Sequence, residues 1–355
     1  MPVKINKVGI LTSGGDAPGM NAAVRAATRA ALANGVKVAG IYKGYRGLMD
    51  DEMRELSARD VSNIIASGGT VLYSDRCDEF KTEEGQRKAV EICRKNGIDG
   101  IIAIGGDGTF RGALELSKRG VSVMGIPGTI DNDITATEYS IGFDTAMNTV
   151  LDMVDRLRDT CESHGRCNVV EVMGRNAGHI ALECGIAVGA VGIAIREIPF
   201  DEAKCLEKII TCRRNGKRNF LIIISEGMGK DYADSISQKI ESETGIVTRL
   251  ARLAHVQRGG SPTLRDRFIA SSMGVKAIEL LLSGKSNQIV CMNDGQIGTV
   301  DIEYAFLLDK LYKETITEKE LAGLSVGDKA QMLEIVRKRK DYIRTLYEMA
   351  DMISH

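Results

Sequence analysis

Two short segments hold most of the residues that could do chemistry. In Gly105-Gly106-Asp107-Gly108-Thr109 a carboxylate stands among glycines. Glycine has no Cβ, so backbone N–H groups there can approach an anion closely, and a helix starting at that point adds its positive end. A bare carboxylate would repel phosphates gathered there unless Mg²⁺ bridged the two. In Pro127-Gly128-Thr129-Ile130-Asp131-Asn132-Asp133, two carboxylates and a hydroxyl crowd together. A carboxylate that accepts a hydroxyl proton is what phosphoryl transfer to an alcohol uses. Taken singly, the first segment reads as a tight strand-to-helix turn and the second as an Asx-rich turn. One strand apart, they favour a phosphoryl-transfer site. The GxxxxGK[ST] loop of other nucleotide-binding proteins is absent. Further Gly-Gly pairs occur at Gly14-Gly15, Gly68-Gly69 and Gly259-Gly260.

These segments need elements to position them. Short runs rich in Val and Ile alternate with longer amphipathic ones. Strands are expected at Val8–Thr12, Val36–Tyr42, Gly100–Ile104, Val121–Ile126, Asn168–Met173, Gly192–Ile195 and Phe220–Ser225. Their low polarity suits parallel strands buried on both faces. Helices are expected at Asn21–Asn34, Glu84–Asn96, Phe110–Lys118, Ala146–His164, Ala177–Val188 and Glu202–Arg214. The βα alternation predicts an α/β fold of mainly parallel sheets with helices on both faces, whose ligands sit at the carboxyl ends of strands. A domain boundary is expected near Ile141–Phe143. From Met332, the residues Ile335, Val336, Ile343, Leu346, Ala350 and Ile353 recur at helical spacing. The basic run Arg337-Lys338-Arg339-Lys340 reads as the solvated face of that helix.

Composition narrows the classes. At 355 residues the chain suits about two domains. Lys+Arg (47) and Asp+Glu (48) nearly cancel, which argues against a general nucleic-acid binder. Aromatics make up 5 % and Trp is absent, so a stacking platform for single strands is not expected. No segment approaches the ~18 apolar residues of a membrane span; the nearest, Cys184–Ile195, is short and closed by Arg196. The N-terminus shows no signal-peptide core, and a cytoplasmic location is expected. The eight cysteines form no CxxC pair and the four histidines no HExxH, so the thiols read as free packing residues.

Four motifs together resemble the 6-phosphofructokinase family, ATP-dependent bacterial type. Leu11 to Asn21 resembles its nucleotide loop and Pro127 to Asp133 its catalytic loop. Val172-Met173-Gly174-Arg175 and His255-Val256-Gln257-Arg258-Gly259-Gly260-Ser261-Pro262 resemble its sugar-phosphate motifs. The likeness runs from about Lys7 to Leu311. It implies two Rossmann-like αβα domains: residues 1–142 with 257–307 for nucleotide, and 143–256 with 308–330 for sugar phosphate. A helical extension at 331–355 follows. It implies transfer of a phosphoryl group from Mg-ATP to the 1-hydroxyl of fructose 6-phosphate, a step of glycolysis. By resemblance Asp131 is the base, Asp107 the Mg²⁺ partner with Asp133 close by, and Thr129 and Arg175 stabilise the transferring group. Gly15, Tyr45, Arg76, Cys77, Gly106, Gly108 and Thr109 match the ATP pocket. Arg166, Met173, Gly174, Glu226, Arg249, His255 and Arg258 match the sugar-phosphate pocket. The family's counterparts of Arg166 and Arg249 reach in from a neighbouring subunit, so a homotetramer with shared active sites is implied. Arg suits a phosphate dianion through its planar fork, and Glu226 can accept from neutral sugar hydroxyls.

Relatives that use pyrophosphate carry Asp at position 108 and Lys at position 128. Both are Gly here, so ATP is the expected donor. A second anion site regulates bacterial members through ADP and phosphoenolpyruvate. Arg25, Arg29, Arg158 and Lys217 match it, whereas Ala58, Val191 and Asn215 depart from its Arg, Glu and Lys. Weak or altered control by those effectors is expected. An NAD or lipid kinase would explain Gly105–Thr109 but not the catalytic loop or the Arg/His set. A silent regulatory homologue would show damage at Asp107, Asp131 or Arg175, and all three are intact.

Overall fold

The computed structural model describes residues 5–354. The first strand, β1 (Lys7–Ser13), feeds α1 (Met20–Ala33); β2 (Lys37–Ile41), α2 (Gly44–Met49), β3 (Met53–Glu55), α3 (Glu83–Lys95), β4 (Gly100–Gly105), α4 (Asp107–Lys118) and β5 (Ser122–Pro127) follow. Next come α5 (Phe143–His164), β6 (Cys167–Val172), α6 (His179–Ala187), β7 (Gly192–Ala194), α7 (Glu202–Arg214), β8 (Phe220–Ser225), α8 (Tyr232–Thr244) and β9 (Thr248–Arg252). The chain ends with α9 (Leu264–Leu282), β10 (Gln288–Asn293), β11 (Gln296–Asp301), α10 (Ile302–Tyr312), α11 (Glu318–Ala322) and α12 (Val326–Ile353).

The elements form two compact units. One holds the chain up to Ile130, Ile134–Thr145 and Arg258–Met332; the other holds Asp131–Asp133, Ala146–Gln257 and 333 onward. The first unit is built on a seven-stranded sheet ordered β11-β10-β5-β4-β1-β2-β3, parallel except for the antiparallel pairs β10–β11 and β2–β3. The second is built on a four-stranded parallel sheet ordered β7-β8-β6-β9. Both agree with the α/β, mainly parallel expectation.

Local chemistry explains where helices start. Thr82 caps α3 by accepting from the Gly85 N–H, with Glu83 and Glu84 in the first turn and Arg94 and Lys95 in the last, matching the helix dipole. Asp201 caps α7 and Thr263 caps α9 in the same manner. Every residue of β4 and β8 is buried, so these strands are sealed on both faces. In the second unit Cys167, Val169, Ile209, Phe220, Ile222 and Ile236 share one core.

The seven expected strands are present as β1, β2 and β4 to β8, and β3, β9, β10 and β11 are additional. β9 and β11 are half-exposed edge strands, and β3 is short and largely exposed. Helices α2 and α8 to α11 were likewise not anticipated. Residues 308–330, which the resemblance gives to the sugar-phosphate half, cluster with the first unit. The reason is α10: Phe306 lies 4.9 Å beneath the Arg111 guanidinium of α4, and Asp309 accepts from the Thr135 hydroxyl at 2.8 Å.

The expected C-terminal helix is α12, longer than its apolar pattern suggested. Met332, Val336, Ile343 and Ala350 are buried, while Ile353 stays 55 % exposed. Arg337 pairs with Glu334 on the exposed face. Near the helix end, Asp351 bonds to Lys204 at 2.7 Å and Lys208 at 2.5 Å. All eight cysteines are free thiols; seven are buried and Cys77 is half-buried. Among the described residues no helix is long and apolar enough to cross a membrane.

Candidate active site

In the first sheet β1 lies between β2 and β4, so the strand order reverses at the β1/β4 pair. Ligands in open α/β sheets bind outside the carboxyl ends of strands at such a point. Ser13 pairs with Gly105 there, and Gly105 pairs with Pro127. The loops that follow Ser13, Gly105 and Pro127 therefore leave three adjacent strand tips. Asp131 lies four residues past Pro127, which keeps its Cα within about 14 Å of that tip.

Helix α4 begins at Asp107, directly after β4. The Asp107 carboxylate is part-exposed and accepts from Arg111 Nε at 3.2 Å and Nη2 at 3.0 Å. An ion pair this open is weak and easily exchanged for a stronger cation. Gly108 is exposed, and a Cβ added to it meets no atom within 4 Å. The space above position 108 is thus open. Thr109 is buried; its hydroxyl donates to the Ser13 carbonyl at 3.0 Å. Tyr45 is also buried, stacked 4.2 Å from Phe80, and its hydroxyl donates to the Thr109 carbonyl at 2.5 Å. Burial pushes the Tyr45 phenol up. Thr109 and Tyr45 therefore brace the loop from behind, with their polar atoms already engaged.

Arg76 and Cys77 sit on a long loop tied to β1. Thr12 donates to the Tyr73 carbonyl at 2.8 Å, and the Ser74 hydroxyl donates to the Gly14 carbonyl at 2.5 Å. Asn21 holds the same loop through Ser67, Gly68 and Val71. Arg76 is exposed, and Cys77 lies 3.8 Å from the Met49 sulfur. Gly106 stands beside Thr129, whose Cβ would be 3.7 Å from an added Cβ. Arg258 bonds to the Asp16 carbonyl at 3.3 Å, and an added Cβ at Gly15 would fall 2.6 Å from its Nη1. Its guanidinium thus stands against the loop of residues 14–16.

The second unit holds a cluster of its own at two strand tips. Val172 and Ser225, at the carboxyl ends of β6 and β8, are paired. Met173, Gly174 and Arg175 follow one tip and Glu226 the other. Glu226 Oε1 accepts from the Gly174 N–H at 3.2 Å and the Arg175 N–H at 2.7 Å. Asp131 is 1 % exposed, and its Oδ2 lies 3.3 Å from Arg175 Nε; Asp133 Oδ2 is 4.0 Å from Arg175 Nη1. Asn132 (φ 50°) and Arg175 (φ 53°) both adopt left-handed backbone, which costs a non-glycine residue energy and clusters at functional sites. Gly174 has φ 142°, and a Cβ there would fall 2.5 Å from the Ala177 carbonyl oxygen. His255 is exposed on a 3-10 turn (Ala254–Arg258) that buried Gln257 fastens by accepting from the Met173 N–H at 2.9 Å.

An open cleft of about 740 Å³ lies at these tips, lined by Arg175 and Glu226 together with Glu171, Lys230 and Arg252. Burial raises the Glu171 carboxyl above its ordinary range despite Arg252 at 3.1 Å. Lys230 and Arg252 were not anticipated, because each belongs to no motif and stands singly in sequence. Arg166 and Arg249 are elsewhere. Arg249 is paired with Asn168 and Arg166 directly precedes β6, so both lie at the amino edge of the sheet. From Arg166 to Met173 is seven residues, about 23 Å along an extended strand. The structure does not bring this pair to Glu226 within one chain.

Comparisons with known proteins agree with this arrangement. Residues 7–281 match the family model described as Phosphofructokinase. The ATP-dependent 6-phosphofructokinase of Clostridium tetani is 52 % identical over 314 residues, covering 88 % of this chain and 98 % of the relative. The enzyme of the same name from Clostridium botulinum (strain Loch Maree) is 50 % identical over 309 residues, covering 87 % and 96 %. Among solved structures, phosphofructokinase from Saccharomyces cerevisiae superposes with a TM-score of 0.83 at 31 % identity; it covers 94 % of this chain, which spans about half (49 %) of the yeast chain. A pyrophosphate-dependent phosphofructokinase from Marinobacter aquaeolei shares the fold with a TM-score of 0.76 at 22 % identity, covering 94 % and 92 %. Glycine loops on adjacent strand tips, an acidic loop one strand on and a family match over most of the length lead to one conclusion: this chain belongs to the phosphofructokinase family.

Proposed function

We propose that the chain phosphorylates fructose 6-phosphate on its 1-hydroxyl with Mg-ATP, giving fructose 1,6-bisphosphate and ADP. This is the glycolytic step that the names of its relatives describe. The observation that carries the reading is the pairing of Gly105 with Pro127, which sets an open glycine cradle beside the loop bearing a buried carboxylate next to Arg175.

Asp131 takes the proton of the sugar hydroxyl as that oxygen attacks the γ-phosphorus. Being almost fully buried, it works where water competes little for its charge. Arg175 and Thr129 donate to the phosphoryl oxygens as charge spreads over them in transit. Arg175 is 58 % exposed at its side chain, so it is free to turn from Asp131 toward an incoming phosphate. Glu226, with one oxygen already holding two backbone N–H groups, presents the other to sugar hydroxyls. His255 and Arg258 supply donors for the 6-phosphate dianion.

Among the described residues no cluster of three or more His, Cys, Asp or Glu forms a metal cage. That suits Mg²⁺, which binds through one or two carboxylates and the substrate's own phosphates. Asp107, part-exposed and held by one open ion pair, fits that role. When bound, Mg²⁺ neutralises charge on the transferring phosphates.

ATP is the donor in this reading, because Gly108 and Gly128 add neither bulk nor a cation. Arg166 and Arg249 lie at the amino edge of their sheet, which supports their serving a neighbouring subunit's site; the homotetramer itself is what the resemblance implies. Control by ADP or phosphoenolpyruvate is weak or altered, since Ala58, Val191 and Asn215 remove two cations and a carboxylate. A coupled assay with fructose 6-phosphate, Mg²⁺ and either ATP or pyrophosphate tests the whole. Turnover with ATP and none with pyrophosphate is expected; efficient use of pyrophosphate alone overturns the donor assignment.

A further inference from the structure

Asp266, on the first turn of α9, lies just past the sequence motif that ends at Pro262. Its side chain is 0 % exposed. Two donors meet each of its oxygens. Oδ1 accepts from the Tyr139 hydroxyl and the Gly142 N–H, both at 2.7 Å. Oδ2 accepts from the Thr145 N–H at 2.9 Å and the Thr145 hydroxyl at 2.5 Å. All four donors come from one segment, residues 139–145, and none from α9. Both oxygens are therefore used as acceptors, as an ionised carboxylate offers them. Burying a carboxylate is costly, and an apolar residue of similar size would serve if filling space were its whole task.

The segment it grips has its own attachment. The Ile141 N–H donates to the Pro127 carbonyl at 2.9 Å, and Ile141 bridges to Gly128 as a short parallel pair. The Ser140 hydroxyl donates to the Thr129 carbonyl at 2.6 Å. Gly128 in turn donates to the Gly105 carbonyl at 3.0 Å. The contacts run unbroken from Asp266 through residues 139–145 to the backbone of Pro127–Thr129, two residues short of Asp131. The Arg265 guanidinium, 4.8 Å above the Tyr139 ring, and Thr263, whose hydroxyl donates to Asp144 at 2.7 Å, fasten the same segment from α9.

We propose that Asp266 is a positioning residue for phosphoryl transfer: it fixes residues 139–145, and these clamp the catalytic loop in the register that aims Asp131 and Thr129. The inference rests on the reading of Asp131 as the base. A displacement of about 1 Å in such a loop costs about 10² in rate, while groups that bind substrate elsewhere are untouched.

The test uses the full chain. Asp266→Asn presents an N–H₂ to at least one group that is itself a donor, so the clamp loosens with little change in volume. The expected result is kcat lowered 10- to 100-fold, with KM for fructose 6-phosphate and for ATP within about threefold. Thr145→Val, which removes one donor, lowers kcat in the same way; Thr145→Ser, which keeps both Thr145 donors, restores it. A folded Asp266→Asn enzyme with kcat within twofold of the parent overturns the proposal. So does a loss that falls equally on kcat, both KM values and melting temperature. If Asp266→Asn does not fold, equal kcat for Thr145→Val and Thr145→Ser overturns it. Asp131→Asn is run alongside: parental turnover there defeats the base assignment itself, an outcome distinct from the failure of Asp266→Asn.

Discussion

Gly108→Asp separates the nucleotide cradle from everything else in the molecule. Gly108 is the second residue of α4, has no left-handed backbone and has empty space around a prospective Cβ. The protein therefore accepts the substitution. Replacing Gly in a helix gains up to about 1 kcal/mol, and a carboxylate in the first turn gains about 0.3–1 kcal/mol more from the dipole. Stability should hold or rise. The cost falls on the ligand. A carboxylate about 4 Å from a phosphate charge is repelled by about 1 kcal/mol at the dielectric of water and about 4 kcal/mol at an effective value of 20. That range corresponds to a loss of about 6-fold to about 10³-fold in kcat/KM for ATP. The assay couples ADP release to NADH oxidation at saturating fructose 6-phosphate, with melting temperature measured in parallel. Gly108→Ala, which adds a methyl group and no charge, should stay within about threefold. KM for fructose 6-phosphate should move by less than about twofold in both variants. Parental kcat/KM for ATP in a folded Gly108→Asp enzyme would show that no phosphate passes near position 108, and an equal loss toward both substrates would show the same.

Other consequences follow from the same geometry. Mixed assemblies of Arg249→Ala and Asp131→Asn chains, each expected to be inactive alone, should regain about a quarter of parental activity if neighbours share sites, because about one site in four combines both intact residues; no recovery would place Arg249 outside a shared site. Burial lowers the His179 pKa from 6.5 to about 4, so the folded protein keeps it neutral. Between those values the unfolded chain binds a proton that the folded chain does not, and stability falls as pH drops. Urea midpoints at pH 7 and pH 5 should reveal about 1–2 kcal/mol of pH-dependent loss that His179→Gln removes. Asp351→Ala leaves Lys208, 15 % exposed at its side chain, without its carboxylate and should cost about 1–2 kcal/mol. Lys204 and then Lys208 hold the Asp351 carboxyl below its ordinary 3.8, so this contribution is complete above that pH and fades as acid titrates it. Thermal melts of variant and parent should therefore differ at pH 7, and the difference should shrink as pH falls below 3.8.

Much of this was legible in the sequence because phosphate sites on parallel sheets are written locally. The strands that carry Gly14-Gly15, Gly105-Gly106 and Pro127–Asp133 are sealed on both faces, so their apolar runs are unmistakable, and each loop follows its strand directly. Edge strands such as β9 and β11 face solvent on one side and lose that signature. The role of Asp266 was hidden for a different reason. Its partners lie more than a hundred residues earlier in the chain, and the nearer hint was the cap pattern Thr263-x-x-Asp266, which announces a helix start and nothing about a clamp. Arg166 and Arg249 show the limit from the other side. Resemblance assigned both to a sugar-phosphate pocket reached from a neighbouring subunit, and the β6–β9 register adds only that they lie at the amino edge of their own sheet. Lys230 and Arg252 line the cleft from positions that no local pattern distinguishes.

The account turns on Asp131 as the proton acceptor. Turnover of Asp131→Asn, measured with saturating Mg-ATP and fructose 6-phosphate, tests it most directly. Asn keeps the size and one acceptor of the buried side chain but cannot take the proton, so kcat should fall by about 10²–10⁴ while KM for both substrates stays within a few-fold. Turnover within a few-fold of the parent enzyme would show that Asp131 is not the base.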